Sequence, residues 1–207
     1  MSTQRSSLSR VVTAAASAAV AALALAACGS GQDQASGNGH GSGHDSGKKP
    51  AKSAGAADVS FAQGMIPHHR QAVEMSELAS SRAESAKVKS LSVRISKAQE
   101  PEIEKMSGWL KSWGEKVPAP GQEHSAHSGH SMAGMMTPED MEKLKKLSGE
   151  KFDREFLRMM TAHHEGAVDM ARTEESDGSY KPAKAMARDI RRSQTGEIKE
   201  MRELLKK

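Results

Sequence analysis

Cysteine is almost missing from this chain: among 207 residues there is one, Cys28. A disulfide framework is thereby excluded, and so is a thiolate metal site in the folded region. Aromatic residues are nearly as scarce, with two tryptophans, one tyrosine and three phenylalanines. The core must therefore be filled by aliphatic side chains and by many of the 13 methionines, which are flexible, soft packers. No segment alternates apolar and polar residues with the β-branched and aromatic content that a strand needs, so a sheet is not expected. Lysine and arginine number 30 against 26 acids, spread along the chain with no basic stripe interleaved with aromatics. Nucleic acid is therefore not an expected partner.

The one long apolar run, Val11 to Ala27, is too short and too alanine-rich for a membrane span. Arg5 and Arg10 precede it, and it ends Leu25-Ala26-Ala27-Cys28. Residues 1–27 read as a secretory signal of bacterial lipoprotein type, with Cys28 as the lipidated mature N-terminus. A plain signal peptide with an incidental cysteine, or an uncleaved anchor, are the alternatives. The expected location is the outer face of the cell membrane or the periplasm, with the membrane as a partner through the lipid on Cys28. Residues 28–57 are rich in Gly, Ser, Ala and Lys, carry His40 and His44, and have no apolar periodicity. They are expected to form a flexible tether, because they cannot bury enough surface to offset their ordering entropy.

Past the tether the chain contains one helical pattern twice. Phe61-Ala-Gln-Gly-Met65-Ile-Pro-His68-His69-Arg-Gln-Ala72-Val73-Glu74-Met75 recurs without a gap as Phe156-Leu-Arg-Met-Met160-Thr-Ala-His163-His164-Glu-Gly-Ala167-Val168-Asp169-Met170. The offset of 95 continues through Ile95 and Ile190, Gln99 and Gln194, Glu102 and Glu197, Ile103 and Ile198, Met106 and Met201, and Leu110 and Leu205. The shared residues are mostly three, four and seven apart, so the repetition preserves an inward helix face. The domain over 58–207 is therefore expected to be all-α. It comprises a hairpin over 58–116, a linker over 117–136 and a second hairpin over 137–207.

Helix boundaries follow from local signals. Asp58 or Ser60 is expected to cap a first helix ending near Arg82, and a second should span roughly Ala86 to Glu115 before Val117-Pro118-Ala119-Pro120-Gly121. Thr137-Pro138-Glu139-Asp140 supplies a capping hydroxyl, a first-turn proline and acids for a short helix. Ser148-Gly149 should interrupt it before a helix from about Glu150 to Glu175, ended by Asp177-Gly178. Lys181-Pro182 opens the last. Pro101 and Gly196 occupy equivalent positions and weaken their helices there, which suggests a shared kink or turn opposite the histidines.

The paired histidines carry the chemistry. Successive helical residues point about 100° apart, so one histidine of each pair can face inward while its neighbour turns towards an adjacent helix. Met65 stands at i, i+3 to His68 and i, i+4 to His69, and His68, Ala72 and Met75 continue the stripe. Four buried imidazoles would otherwise need four separate hydrogen-bond solutions. Imidazole with thioether favours copper, thioether particularly Cu(I), whereas imidazole alone also suits zinc, nickel or iron. The candidate ligands are Met65, His68, His69 and Met75 with Met160, His163, His164 and Met170. A second candidate group lies in the linker, where His124, His127, His130, Met132, Met135 and Met136 have no apolar period. A chelating arm for copper accounts for both residue types there, against a merely biased linker composition.

The doubled Phe-x-x-x-Met-x-x-His-His-x-x-Ala-Val-(Glu/Asp)-Met pattern resembles the bacterial domain-of-unknown-function family 305. So do Thr137-Pro138-Glu139 upstream of Phe152-Asp153-x-x-Phe156 and the trailing Gln-x-x-Glu-Ile. The resemblance covers roughly Asp58 to Leu205. It implies a ferritin-like four-helix bundle, export, and in some members copper binding and tolerance, with no catalytic activity to carry over. Pro67 departs from the second copy, where Ala162 stands. The resulting expectation is a lipid-anchored copper-binding protein, taking Cu(I) or Cu(II), for buffering, sequestration or tolerance. A metal-dependent oxidoreductase and a non-metal envelope interaction protein are the alternatives. The first lacks the Glu-x-x-His motif of dimetal bundles, leaving Glu102 and Glu197 as the only symmetry-related core acids.

Overall fold

The computed structural model describes residues 54–121 and 134–206. The expected signal, Cys28, most of the tether, and His124, His127, His130 and Met132 lie outside the described residues. Within them the chain is all-α, with no strand. Its helices are α1 (Ala56–Arg82), α2 (Ala86–Trp113), α3 (Pro138–Lys146), α4 (Gly149–Asp177) and α5 (Lys181–Leu205). The four long helices form two hairpins, α1 with α2 and α4 with α5, joined by packing of α1 on α4. None of the five is long and apolar enough to cross a membrane.

Each long helix buries one stripe. On α1 this runs Phe61, Ala62, Met65, Ile66, His68, His69, Ala72, Met75 and Ala79; on α5 it runs Ala183, Met186, Ala187, Ile190, Gln194, Ile198 and Met201. The stripes meet in two apolar clusters. One contains Met65, Ile66, Met106 and Leu110, the other Met75, Ile95, Phe152, Phe156 and Met160. Cutting a buried Leu, Ile or Met back to alanine in such a core costs about 2–5 kcal/mol.

Helix starts differ from expectation at one point. The N-cap of α1 is Gly55, neither Asp58 nor Ser60. Asp58 sits three residues inside, where it accepts the Gly55 N–H at 2.6 Å. Its remaining capacity goes elsewhere: it accepts the backbone N–H groups of Ser179 at 3.0 Å and Tyr180 at 2.9 Å. The second-copy counterpart, Asp153, accepts those of Glu84 at 3.2 Å and Ser85 at 2.7 Å. Glu102 and Glu197 are therefore not the only symmetry-related acids in the core: Asp58 and Asp153 are a second, buried pair. Each aspartate thus caps the second helix of the other hairpin, satisfying amides that a helix start leaves orphaned. The Thr137 hydroxyl caps α3 as expected, and with Asp140 it forms a capping box. Pro101 and Gly196 lie inside unbroken helices, so neither makes a turn. Gly178 closes α4 in extended conformation, not left-handed. It is small for want of space, since a Cβ there would stand 2.6 Å from the backbone carbonyl oxygen of Glu174.

Candidate metal centre

The histidines lie where α1 packs on α4. The rings of His68 and His163 meet with centroids 3.7 Å apart, tilted by 39°. Their neighbours turn the other way: His69 Nε2 reaches Glu102 Oε2 at 2.8 Å, and His164 Nε2 reaches Glu197 Oε2 at 2.8 Å. All four imidazoles are buried, while the two carboxylates are 22% and 19% exposed. One histidine of each pair therefore meets its counterpart across the repeat, and the other is held by the second helix of its own hairpin.

The nitrogens left over define what this arrangement can do. A carboxylate only accepts, so Nε2 of His69 and of His164 donates; in the neutral ring the lone pair is then on Nδ1. Both Nδ1 atoms are buried without a hydrogen-bond partner, and neither ring nitrogen of His163 makes a well-formed hydrogen bond. Burial, and then the adjacent His68, His164 and His69 rings, push His163 well below the ordinary histidine range, opposed only by a backbone contact with His68. Orphaned buried nitrogens are costly unless something occupies their lone pairs. A carboxylate fixing Nε2–H and leaving the buried Nδ1 to accept is the arrangement that orients metal-bound imidazole. Among the described residues no three His, Cys, Asp or Glu side chains already stand as a metal cage. The donor set that fits is imidazole completed by thioether, a soft combination suited to copper.

The methionines divide by position. Met65 and Met160 are fully buried one turn before the histidine pairs. Met75 and Met170 lie seven residues past His68 and His163, about 10 Å along the axis, in the flanking apolar clusters. Because α1 and α4 run past one another, Met75 shares a cluster with Met160, and Met170 packs against the one holding Met65. The helix crossing thus brings the paired histidines together, with Met65 and Met160 one turn before them in separate apolar clusters and Met75 and Met170 two turns past them.

Of the linker group, Met135 and Met136 are described. Gln71, one turn past His68 and only 2% exposed, binds the backbone of Met136 at both ends. Its Oε1 accepts the Met136 N–H at 2.7 Å and its Nε2 donates to the Met136 carbonyl at 2.9 Å. The Met136 side chain packs against the cluster holding Met75 and Met160. Gly134 has φ +82°, and a Cβ there would stand 2.4 Å from the Ala162 carbonyl oxygen and 3.1 Å from His163 Cα. At the linker's other end Arg70 donates to the Pro118 carbonyl at 2.7 Å. Both ends of the linker are pinned beside the histidines.

Glu102 and Glu197, which the sequence offers only as possible dimetal ligands, each engage one imidazole instead. The signal that could have assigned them was their recurrence 33 residues after His69 and His164. Gln71 had no such signal, since Gly166 takes its place in the second copy.

No curated protein matches the chain. Among solved structures, a protein from Streptomyces coelicolor carrying DUF305 is 35% identical. The match covers 72% of this chain and 91% of that one, with a TM-score of 0.65. CopM in its Cu(II)-bound form is 36% identical over 72% of this chain and 95% of its own, TM-score 0.62. In its Cu(I)-bound form CopM is 33% identical over the same shares, TM-score 0.60. The family described as "Domain of unknown function (DUF305)" matches residues 58–205, and the chain belongs to it.

Proposed function

We propose that this chain is an extracytoplasmic, lipid-anchored protein that binds copper at the α1–α4 crossing, for buffering, sequestration or tolerance. The observation that carries the reading is the set of buried imidazole nitrogens at His69, His163 and His164 with no hydrogen-bond partner. Fully buried Met65 and Met160 precede the two histidine pairs by one helical turn. The likeness to CopM, solved with Cu(I) and with Cu(II), supports copper over zinc, nickel or iron. The anchor rests on Leu25-Ala26-Ala27-Cys28, and the linker histidines and methionines are proposed as a second, weaker copper-binding stretch.

We read the chain as a binding protein and assign it no reaction. In dimetal bundles carboxylates bridge the ions, whereas Glu102 and Glu197 are each committed to a histidine at 2.8 Å. Elemental analysis of the mature protein after exposure to equal copper, zinc, nickel and iron tests the reading. Copper enrichment is expected. Iron with turnover of oxygen or peroxide would favour the oxidoreductase, and an empty protein would remove the metal site altogether.

A further inference from the structure

Two clefts lie between α2 and α5 at positions related by the repeat, and their walls differ. One, of about 400 Å³, is bounded by Glu102, Lys105, Trp109, Pro182, Met186 and Asp189. The other, of about 600 Å³, is bounded by Lys87, Arg94, Lys199, Glu200, Glu203 and Leu204. Applying the offset of 95 pairs Trp109 with Leu204, Asp189 with Arg94, Lys105 with Glu200 and Met186 with Leu91. At the paired positions the first cleft therefore has the Asp189 carboxylate and the Trp109 indole where the second has Arg94 and Leu204, and its Met186 thioether has no counterpart in the second wall, Leu91 not lining it. The second is also bridged across, because one Arg94 nitrogen donates to both oxygens of Glu200 at 2.7 Å.

Only the first cleft is walled by a carboxylate that touches a core histidine. Glu102 is 22% exposed, and its partner His69 is fully buried. Glu197 is similarly exposed beside His164, but the neighbouring cleft does not include it and presents Lys87, Arg94 and Lys199 instead. The Asp189 carboxylate is held by Arg192 at 2.7 Å on the exposed surface. A pair of that kind is worth little and leaves the charge available.

We propose that the Glu102 cleft is the docking station at which a soft monovalent cation, Cu(I) or its analogue Ag(I), first binds before reaching the histidine crossing. Access is then one-sided although the core is twofold. Glu102 and Asp189 attract the ion, Met186 supplies a thioether, and the Trp109 indole, stacked with Trp113 at 6.2 Å between centroids, adds its π system to the wall. Lys105 opposes it and sets a brake. The proposal rests on the metal-binding reading above.

Stopped-flow loading of the mature chain with Ag(I) tests it, in a Trp113→Phe background that leaves Trp109 the only indole. Quenching of Trp109 should precede saturation of the protein. Met186→Leu, which installs the residue found at the counterpart position, and Asp189→Asn should each slow loading roughly three- to tenfold at unchanged final stoichiometry and helicity. Lys105→Gln should speed it, and Arg94→Gln in the other cleft should leave it alone. Silver uptake at wild-type rate in both Met186→Leu and Asp189→Asn, or equal slowing by Arg94→Gln, would overturn the docking station while leaving the metal site standing. Absence of uptake by the unsubstituted protein would overturn both.

Discussion

His68 and His163, 95 residues apart in the chain, bring their imidazole centroids within 3.7 Å of each other. Rings that close cannot serve two independent ions, so under the proposed copper reading the repeats would share one centre. His68→Ala and His163→Ala should therefore each weaken copper binding by at least roughly tenfold. The double variant should lose less than the sum, with a coupling of about 0.5–3 kcal/mol, as for residues in contact. Competition titrations against a Cu(I) chelator measure this. Strict additivity would mean two separate sites.

Glu102 and Glu197 hold the outer histidines without facing the crossing. Replacing either with glutamine keeps the size but loses the purely accepting partner that fixes Nε2–H, so copper affinity should fall about 10- to 100-fold. Circular dichroism should be unchanged. An affinity equal to that of the parent protein would reduce both residues to surface carboxylates.

The exchanged caps make a stability prediction. Asp58→Ala and Asp153→Ala each strip two backbone amides of the opposite hairpin of their acceptor. Each should cost about 2 kcal/mol in thermal or urea unfolding, at the upper end for N-cap loss. Accelerated amide exchange should appear at Ser179 and Tyr180 before α5, and at Gly55 before α1, for the first, and at Glu84 and Ser85 before α2 for the second. Unchanged exchange at the starts of α5 and α2 would contradict the crossed arrangement.

Glu174 stands where the first repeat has Ala79. Burial, and then the facing Asp58 carboxylate, raise its pKa from 4.5 to about 8. The folded chain thus keeps a proton that the unfolded chain releases above pH 4.5. The stability tied to it is complete below pH 4.5 and is lost as pH rises to about 8. Asp58 works oppositely: burial pushes it up, but hydrogen bonds led by that of the Tyr180 N–H prevail and hold it below 3.8, so its contribution is lost on acidification. Glu174→Gln should flatten the decline in melting temperature between pH 4.5 and 8. A decline of the same slope in the variant would place its cause elsewhere.

The hairpins, the short α3 and the inward stripe were legible because they rest on local rules: helical period, the Thr137-Pro138 start, the Ser148-Gly149 break. Gathering of His68, His69, His163 and His164 followed from the repeat, since equivalent faces pack together. The α1 start was misplaced because Asp58 has a capping residue's chemistry but spends it on Ser179 and Tyr180, 121 and 122 residues away. The Gln71 grip on Met136 was equally invisible, as nothing local distinguishes a buried glutamine that clamps from one that packs. It bears on any linker deletion. Removing residues 123–136 would take away the clamped Met136 and leave Gln71 buried without partners, so a cut limited to residues 123–133 separates linker from core more cleanly.

The most direct test of the proposed copper centre is a Cu(I) competition titration comparing the parent protein with His163→Ala/His164→Ala and with the deletion of residues 123–133. The double substitution should lose the tight site, and the deletion should lower capacity while keeping that site, because ligands on packed helices are preorganised and a linker must be ordered on binding. If the double substitution left tight binding intact while the deletion abolished it, the core histidines would be structural and the account wrong.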